Sequence, residues 1–277
     1  MLLGSQSVAQ RDRSQSNRGN LMRVLISALL LVPAAALASS ALDGTWKTRT
    51  DTMRVTGKPD VFAIVDGTYT CSSCVPAVKI QADGADHKVA GHDNYDSKAV
   101  KVVDPKTVEV TNKLAGKVMA TNTITVSADG LMLSGKFTDY SGAKPASGAY
   151  TEKRVAAAAP GAHAASGSWQ VEQMGEANDA LRTVSYEMKG DHFSMHWNGQ
   201  TYDAKFDGKE YPITGDPTHT VVTLKRIDAN TVEETDHRMG KITDEIRIAA
   251  SNDGKTVEVT DKDPQHGQTT TYTLEKQ

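Results

Sequence analysis

From residue 42 onward the chain alternates between apolar and polar positions with a period of two, the signature of half-buried strands. In residues 191–197, Phe193, Met195 and Trp197 fall on one side; His192, Ser194 and His196 fall on the other. Ile242, Ile246, Ile248 and Ala250 share a face, opposite Lys241, Thr243, Glu245 and Arg247, and Val118, Ala120, Ile124 and Val126 repeat the arrangement earlier. Asp66-Gly67, Asp83-Gly84, Asp129-Gly130, Asn198-Gly199, Asp207-Gly208 and Asp253-Gly254 separate such runs. These pairs supply the positive φ that tight hairpins need. Antiparallel strands in sequence order, each with one apolar face, must close into a barrel or stack as a sandwich.

The pattern occurs twice. Gly44-Thr45-Trp46 is matched by Gly167-Ser168-Trp169, and residues 83–139 align with 207–263 without a gap. Roughly 16 of those 57 positions are identical, against about 3 or 4 by chance, so the chain is a tandem duplication. The expected organisation is one barrel over 42–154, an Ala-rich inter-domain linker over 155–166, and a second barrel over 167–277. About eight strands are expected in each.

Before the first unit, Met22-Arg23 leads into the apolar run 24–32, then Pro33 and the small-residue site Ala36-Leu37-Ala38. That is the build of a secretory signal over 22–38, too short to span a bilayer. Residues 1–21 read as an extension upstream of the true initiator, Met22. The expected location is therefore periplasmic or secreted, with no membrane span in the mature protein.

An opening Gly-x-Trp on the first strand of a meandering barrel resembles the lipocalin and calycin signature, here in both repeats. The resemblance implies that the Trp closes one barrel end and packs under an Arg of the last strand. In the first unit those residues are Trp46 and Arg154; the second unit has Trp169 but ends Leu274-Glu275-Lys276-Gln277. Thr138-Asp139-Tyr140 matches the family's other motif but falls too late in its unit. The chain is also similar to uncharacterised secreted bacterial proteins with runs like residues 66–76.

The chain has 277 residues, a formal net charge of −3 and 23% charged residues, which gives nucleic acid no basic surface to grip. Aromatic residues are 5%, too few for the girdles of an outer-membrane barrel. Cys71 and Cys74 are the two cysteines; in an oxidising compartment they are expected to pair. A thioredoxin-like site needs a helix after the first Cys, and Val75-Pro76 follows instead. Thiol redox at this pair is the one concrete enzymatic alternative. His192 and His196 are four apart, but on a strand that is about 13 Å, so no metal is expected, nor a cofactor. A small barrel interior can hold one ligand. The expected function is binding of a small apolar or amphipathic molecule, with Trp46, Trp169, Asn122 and Asp244 as candidate contacts. The alternative is a structural or interaction module that meets an envelope protein partner.

Overall fold

The computed structural model describes residues 40–277, which belong to one compact unit. The expected signal segment 22–38 and the extension 1–21 lie outside the described residues. The strands of the first repeat are β1 (Gly44–Gly57), β2 (Asp60–Val65), β3 (Thr68–Cys71), β4 (Val78–Gln81), β5 (His87–Lys88), β6 (Ser97–Asp104), β7 (Thr107–Leu114), β8 (Lys117–Val126), β9 (Met132–Asp139) and β10 (Ala146–Ala157). The second repeat holds β11 (Gly167–Ala177), the single turn of helix α1 (Asp179–Arg182), β12 (Thr183–Lys189), β13 (His192–Trp197), β14 (Gln200–Lys205), β15 (Tyr211–Pro212), β16 (Val221–Arg226), β17 (Thr231–Arg238), β18 (Lys241–Ala250), β19 (Thr256–Asp263) and β20 (Gln268–Lys276).

These form two antiparallel, nearly closed barrels of ten strands each, in the orders β4-β3-β2-β11-β10-β9-β8-β7-β6-β5 and β14-β13-β12-β1-β20-β19-β18-β17-β16-β15. Each barrel includes one two-residue strand, β5 or β15, with too little alternation to register in the sequence. The rims meet where Gly84 N–H donates to Val100 O at 2.9 Å and where Thr201 and Thr214 exchange backbone bonds of 3.0 and 2.8 Å.

The repeats exchange their first strands. β1 lies between β12 and β20, and β11 lies between β2 and β10. The barrel boundaries at 42–154 and 167–277 are corrected accordingly: the first barrel is β2 to β11, and the second is β12 to β20 plus β1. The linker over 155–166 is corrected too. Val155–Ala157 extend β10, and His163 to Ser166 plug the first barrel's closed end. There Ser166 Oγ accepts from Ile64 N–H at 2.8 Å, and His163 Nε2 meets Asp104 O at 2.8 Å. Ala165 N–H donates to His163 Nδ1, so Nε2 carries the ring proton. The chain crosses between barrels at Lys58-Pro59 and at Asn178, whose side chain caps α1 and donates to Pro145 O. Gly57 is required at the first crossing: with φ +114°, a Cβ there would lie 2.2 Å from Gly267 O.

Each barrel has one sealed end. Trp46 and Trp169 are completely buried, and their indole N–H groups donate to Leu42 O and Ala165 O. Apolar layers follow, with Val232, Ile248, Val257 and Leu274 around Trp46 and Val108, Ile124 and Leu133 around Trp169. A bulge at Thr243, opposite Asp236–His237, reverses the phase of β18, so Ile242 is exposed although its alternation placed it with Ile246. At their other ends the barrels dock through the loop after β9 and the β13–β14 turn, where Ala143 N–H donates to Asn198 O at 2.7 Å and Asn198 Nδ2 donates to Lys144 O at 2.8 Å.

Candidate functional site

A cavity of about 580 Å³ occupies the open half of the second barrel and reaches the docked rim of the first. Its apolar wall is made by Met195 and Trp197 from β13, Val184 from β12, Ile246 from β18 and Tyr272 from β20, with polar side chains such as Thr48, Gln200 and Thr270 between them. Phe137 and Met119 of the first barrel stand at its mouth. That size and lining match a small-molecule pocket.

Set into this surface are Glu234 and Asp236, two residues apart on the inward face of β17, and Asp261 on β19. The register places Glu234 opposite Ile246, Asp236 opposite Asp244, and Asp261 also opposite Ile246. Glu234 accepts from Tyr202 Oη at 2.5 Å. Asp236 Oδ1 and Asp261 Oδ1 are buried without a hydrogen-bond partner. Desolvation, the largest effect at each, disfavours the charged carboxylates. It raises Glu234 above its usual range and Asp261 to about 7. Asp236, also repelled by Glu234 and Asp244, is pushed up to about 10.

Arg238 stands nearer the rim, 3.6 Å from both Asp244 and Asp93, with its Nε donating to Thr220. Arg182 is paired with Asp179. Among the described residues, no basic nitrogen lies within 4.0 Å of the carboxylates of Glu234, Asp236 or Asp261. No trio of His, Cys, Asp or Glu among them is grouped to hold one metal ion.

The first barrel's interior differs. At the positions of Glu234, Asp236 and Asp261 it has Val110, Asn112 and Phe137. Tyr150 crosses the interior in the space left by Gly135, where a Cβ would lie 2.1 Å from the ring. Its hydroxyl bonds Asn122 Nδ2 at 2.6 Å.

The four expected contacts are therefore dispersed. Trp46 and Trp169 are sealed at the closed ends, and Asn122 sits in the filled first barrel. Asp244 lines a smaller cavity of about 190 Å³ between the barrels, with Cys74, Tyr95 and His266. Glu234, Asp236 and Asp261 were missed because carboxylates in strands ordinarily mark the solvent face. The duplication held the signal: Val110 and Phe137 are apolar where Glu234 and Asp261 stand. Cys71 and Cys74 are joined as a disulfide, Cys71 buried and Cys74 beside the smaller cavity. Comparison with known protein families, curated proteins and solved structures finds no match to this chain.

Proposed function

We propose that this is an exported, non-enzymatic protein that binds one small amphipathic molecule in its second barrel. The cavity carries the reading: a space of about 580 Å³ lined by apolar and polar side chains in similar number, in a barrel whose far end is sealed. The duplicated partner acts as scaffold, contributing the exchanged strand β1 and the rim residues Phe137 and Met119. Export rests on residues 22–38, and the Cys71–Cys74 disulfide suits an oxidising compartment. A thiol-redox role is disfavoured because Cys71, the first cysteine of the pair, is buried.

The test is uptake of N-phenyl-1-naphthylamine, a neutral fluorophore that brightens in apolar surroundings. The whole protein should enhance its emission, and Ile246→Trp, which fills the cavity, should abolish the enhancement while the melting transition persists. Absence of enhancement, or enhancement undiminished in the filled variant, favours the alternative of an envelope interaction module.

A further inference from the structure

The apolar walls explain why an amphiphile fits; they do not explain the acids. Five acidic side chains line the cavity (Asp139, Asp216, Glu234, Asp236, Asp261) against two arginines. Both arginines already have carboxylate partners, Arg182 with Asp179 and Arg238 with Asp93 and Asp244. Asp216 is likewise satisfied by Thr218 and Thr220. Asp139 accepts from Ser141 N–H at 2.6 Å, and Arg182 Nε is a buried donor without an acceptor; the carboxyls held by neither a turn nor a base are Glu234, Asp236 and Asp261. Asp236 is only 8% exposed, yet its Oδ1 has no donor. A buried acceptor left unpaired is costly; Asn112 Oδ1, at the matching position of the first barrel, is orphaned as well, so what sets the second barrel apart is the acidity of these positions. The first barrel is built on the same plan with Val110, Asn112 and Phe137 in these places.

Resting on the ligand-binding reading above, we infer that the second barrel takes a small amphiphile bearing one cationic nitrogen. The nitrogen sits among Glu234, Asp236 and Asp261, and the apolar body lies against Met195, Trp197 and Ile246. An ammonium donates only, which suits the acceptor oxygens of Asp236 and Asp261. Among the described residues no trio of carboxylates is grouped to hold one metal ion.

Binding is then coupled to proton release. The groups around the three carboxyls are Arg238 on β17, Asp244 on β18, Asp263 on β19, Tyr186 on β12, Tyr202 on β14 and Tyr272 on β20, with Asp93 across the rim. Burial keeps the tyrosines neutral. The cluster thus holds protons near pH 7 that an arriving cation displaces. An alkylammonium stays protonated to about pH 10, so the pH dependence reports the protein.

The experiment is displacement of N-phenyl-1-naphthylamine from the whole protein by octylammonium, octanol and octanoate. Octylammonium should compete at least tenfold better than octanol, and octanoate worse than either. Its advantage should grow between pH 6 and pH 8. In the double variant Asp236→Asn, Asp261→Asn the ratio of octylammonium to octanol should collapse toward one; Glu258→Gln, an exposed change on the same barrel, should keep it. Equal competition by all three, a preference for octanoate, or an ammonium preference that survives the double variant overturns the inference while leaving the cavity a ligand site. If neither the fluorophore nor any competitor enters the protein, the ligand-binding reading itself falls.

Discussion

The guanidinium of Arg154 lies over the indole of Trp169, 4.1 Å from the ring centre, although the two residues belong to different repeats. Arg154 also donates to Gly130 O, Ala164 O and Ser166 O at 2.6, 2.7 and 2.5 Å. One side chain thus holds the exchanged strand, the plug and the β8–β9 turn together. In the second barrel Trp46 has Lys276 in this place, with Nζ 5.2 Å from the ring centre. The pairing of Trp46 with Arg154 implied by the lipocalin resemblance is corrected by the exchange: each Trp meets the last strand of the other repeat.

Arg154→Ala removes a cation–π contact and leaves three carbonyls without their donor. The expected cost is about 2–4 kcal/mol in urea unfolding. Arg154→Lys should recover little of it, because an ammonium cannot span the three acceptors that the planar fork reaches. Lys276→Ala should cost under about 1 kcal/mol. Equal costs for the two alanine variants would show that the carbonyl bonds contribute nothing.

The strand content was readable because local chemistry dictates it. Asp66-Gly67 and Asn198-Gly199 both adopt the doubly positive φ of tight hairpins. Phe193 points inward as its alternation required. The exchange was not readable, for a physical reason. β1 and β11 both open with Gly-x-Trp, and either fits beside either barrel's last strand, so alternation is satisfied in both arrangements. Short junctions such as Lys58-Pro59 decide the partner, and they carry no period. Asp244, a candidate contact, turns toward Arg238 at the rim. The acids deeper in were hidden by Glu233-Glu234-Thr235-Asp236, in which polar residues occupy both faces.

The exchange predicts how the molecule comes apart. Residues 159–161 form an exposed turn, and a protease site placed there divides the chain into one fragment holding β1 to β10 and another holding β11 to β20. Each fragment supplies a strand to the other's barrel, so the nicked halves should co-elute in size-exclusion chromatography and part only in denaturant. Separation of folded halves under native conditions would mean that each barrel keeps its own first strand.

Gly135→Ala tests why the first barrel is filled. The new methyl group would meet the Tyr150 ring, which must swing away and give up its bond to Asn122. The expected cost is about 1–3 kcal/mol. Tyr150→Phe keeps the ring and loses only the hydroxyl, and should cost about 1 kcal/mol. A neutral Gly135→Ala in chemical denaturation would show that the ring moves freely.

Stability should fall as pH rises from mildly acidic values. Burial, the largest effect at each group, raises Asp261 and Glu152 to about 7 and Asp236 to about 10. Each acid therefore binds its proton more tightly in the folded protein than in the unfolded chain, where it titrates near pH 4. Its contribution is full below about pH 4 and drains away as pH climbs through the folded value. Exposed carboxylates such as Asp104, Asp129 and Asp253, lowered chiefly by hydrogen bonds, act oppositely and lose their contribution as the solution becomes more acidic. The two trends place the maximum at about pH 5, with a decline of up to about 1.4 kcal/mol per pH unit for each titrating buried group. Asp261→Asn should flatten the decline between pH 5 and pH 7 and stabilise the ligand-free protein at pH 7. Urea unfolding at pH 5, 6, 7 and 8 measures both. A curve that rises across this interval, or one that Asp261→Asn leaves unchanged, would mean that Asp261 is ionised at little cost inside the second barrel.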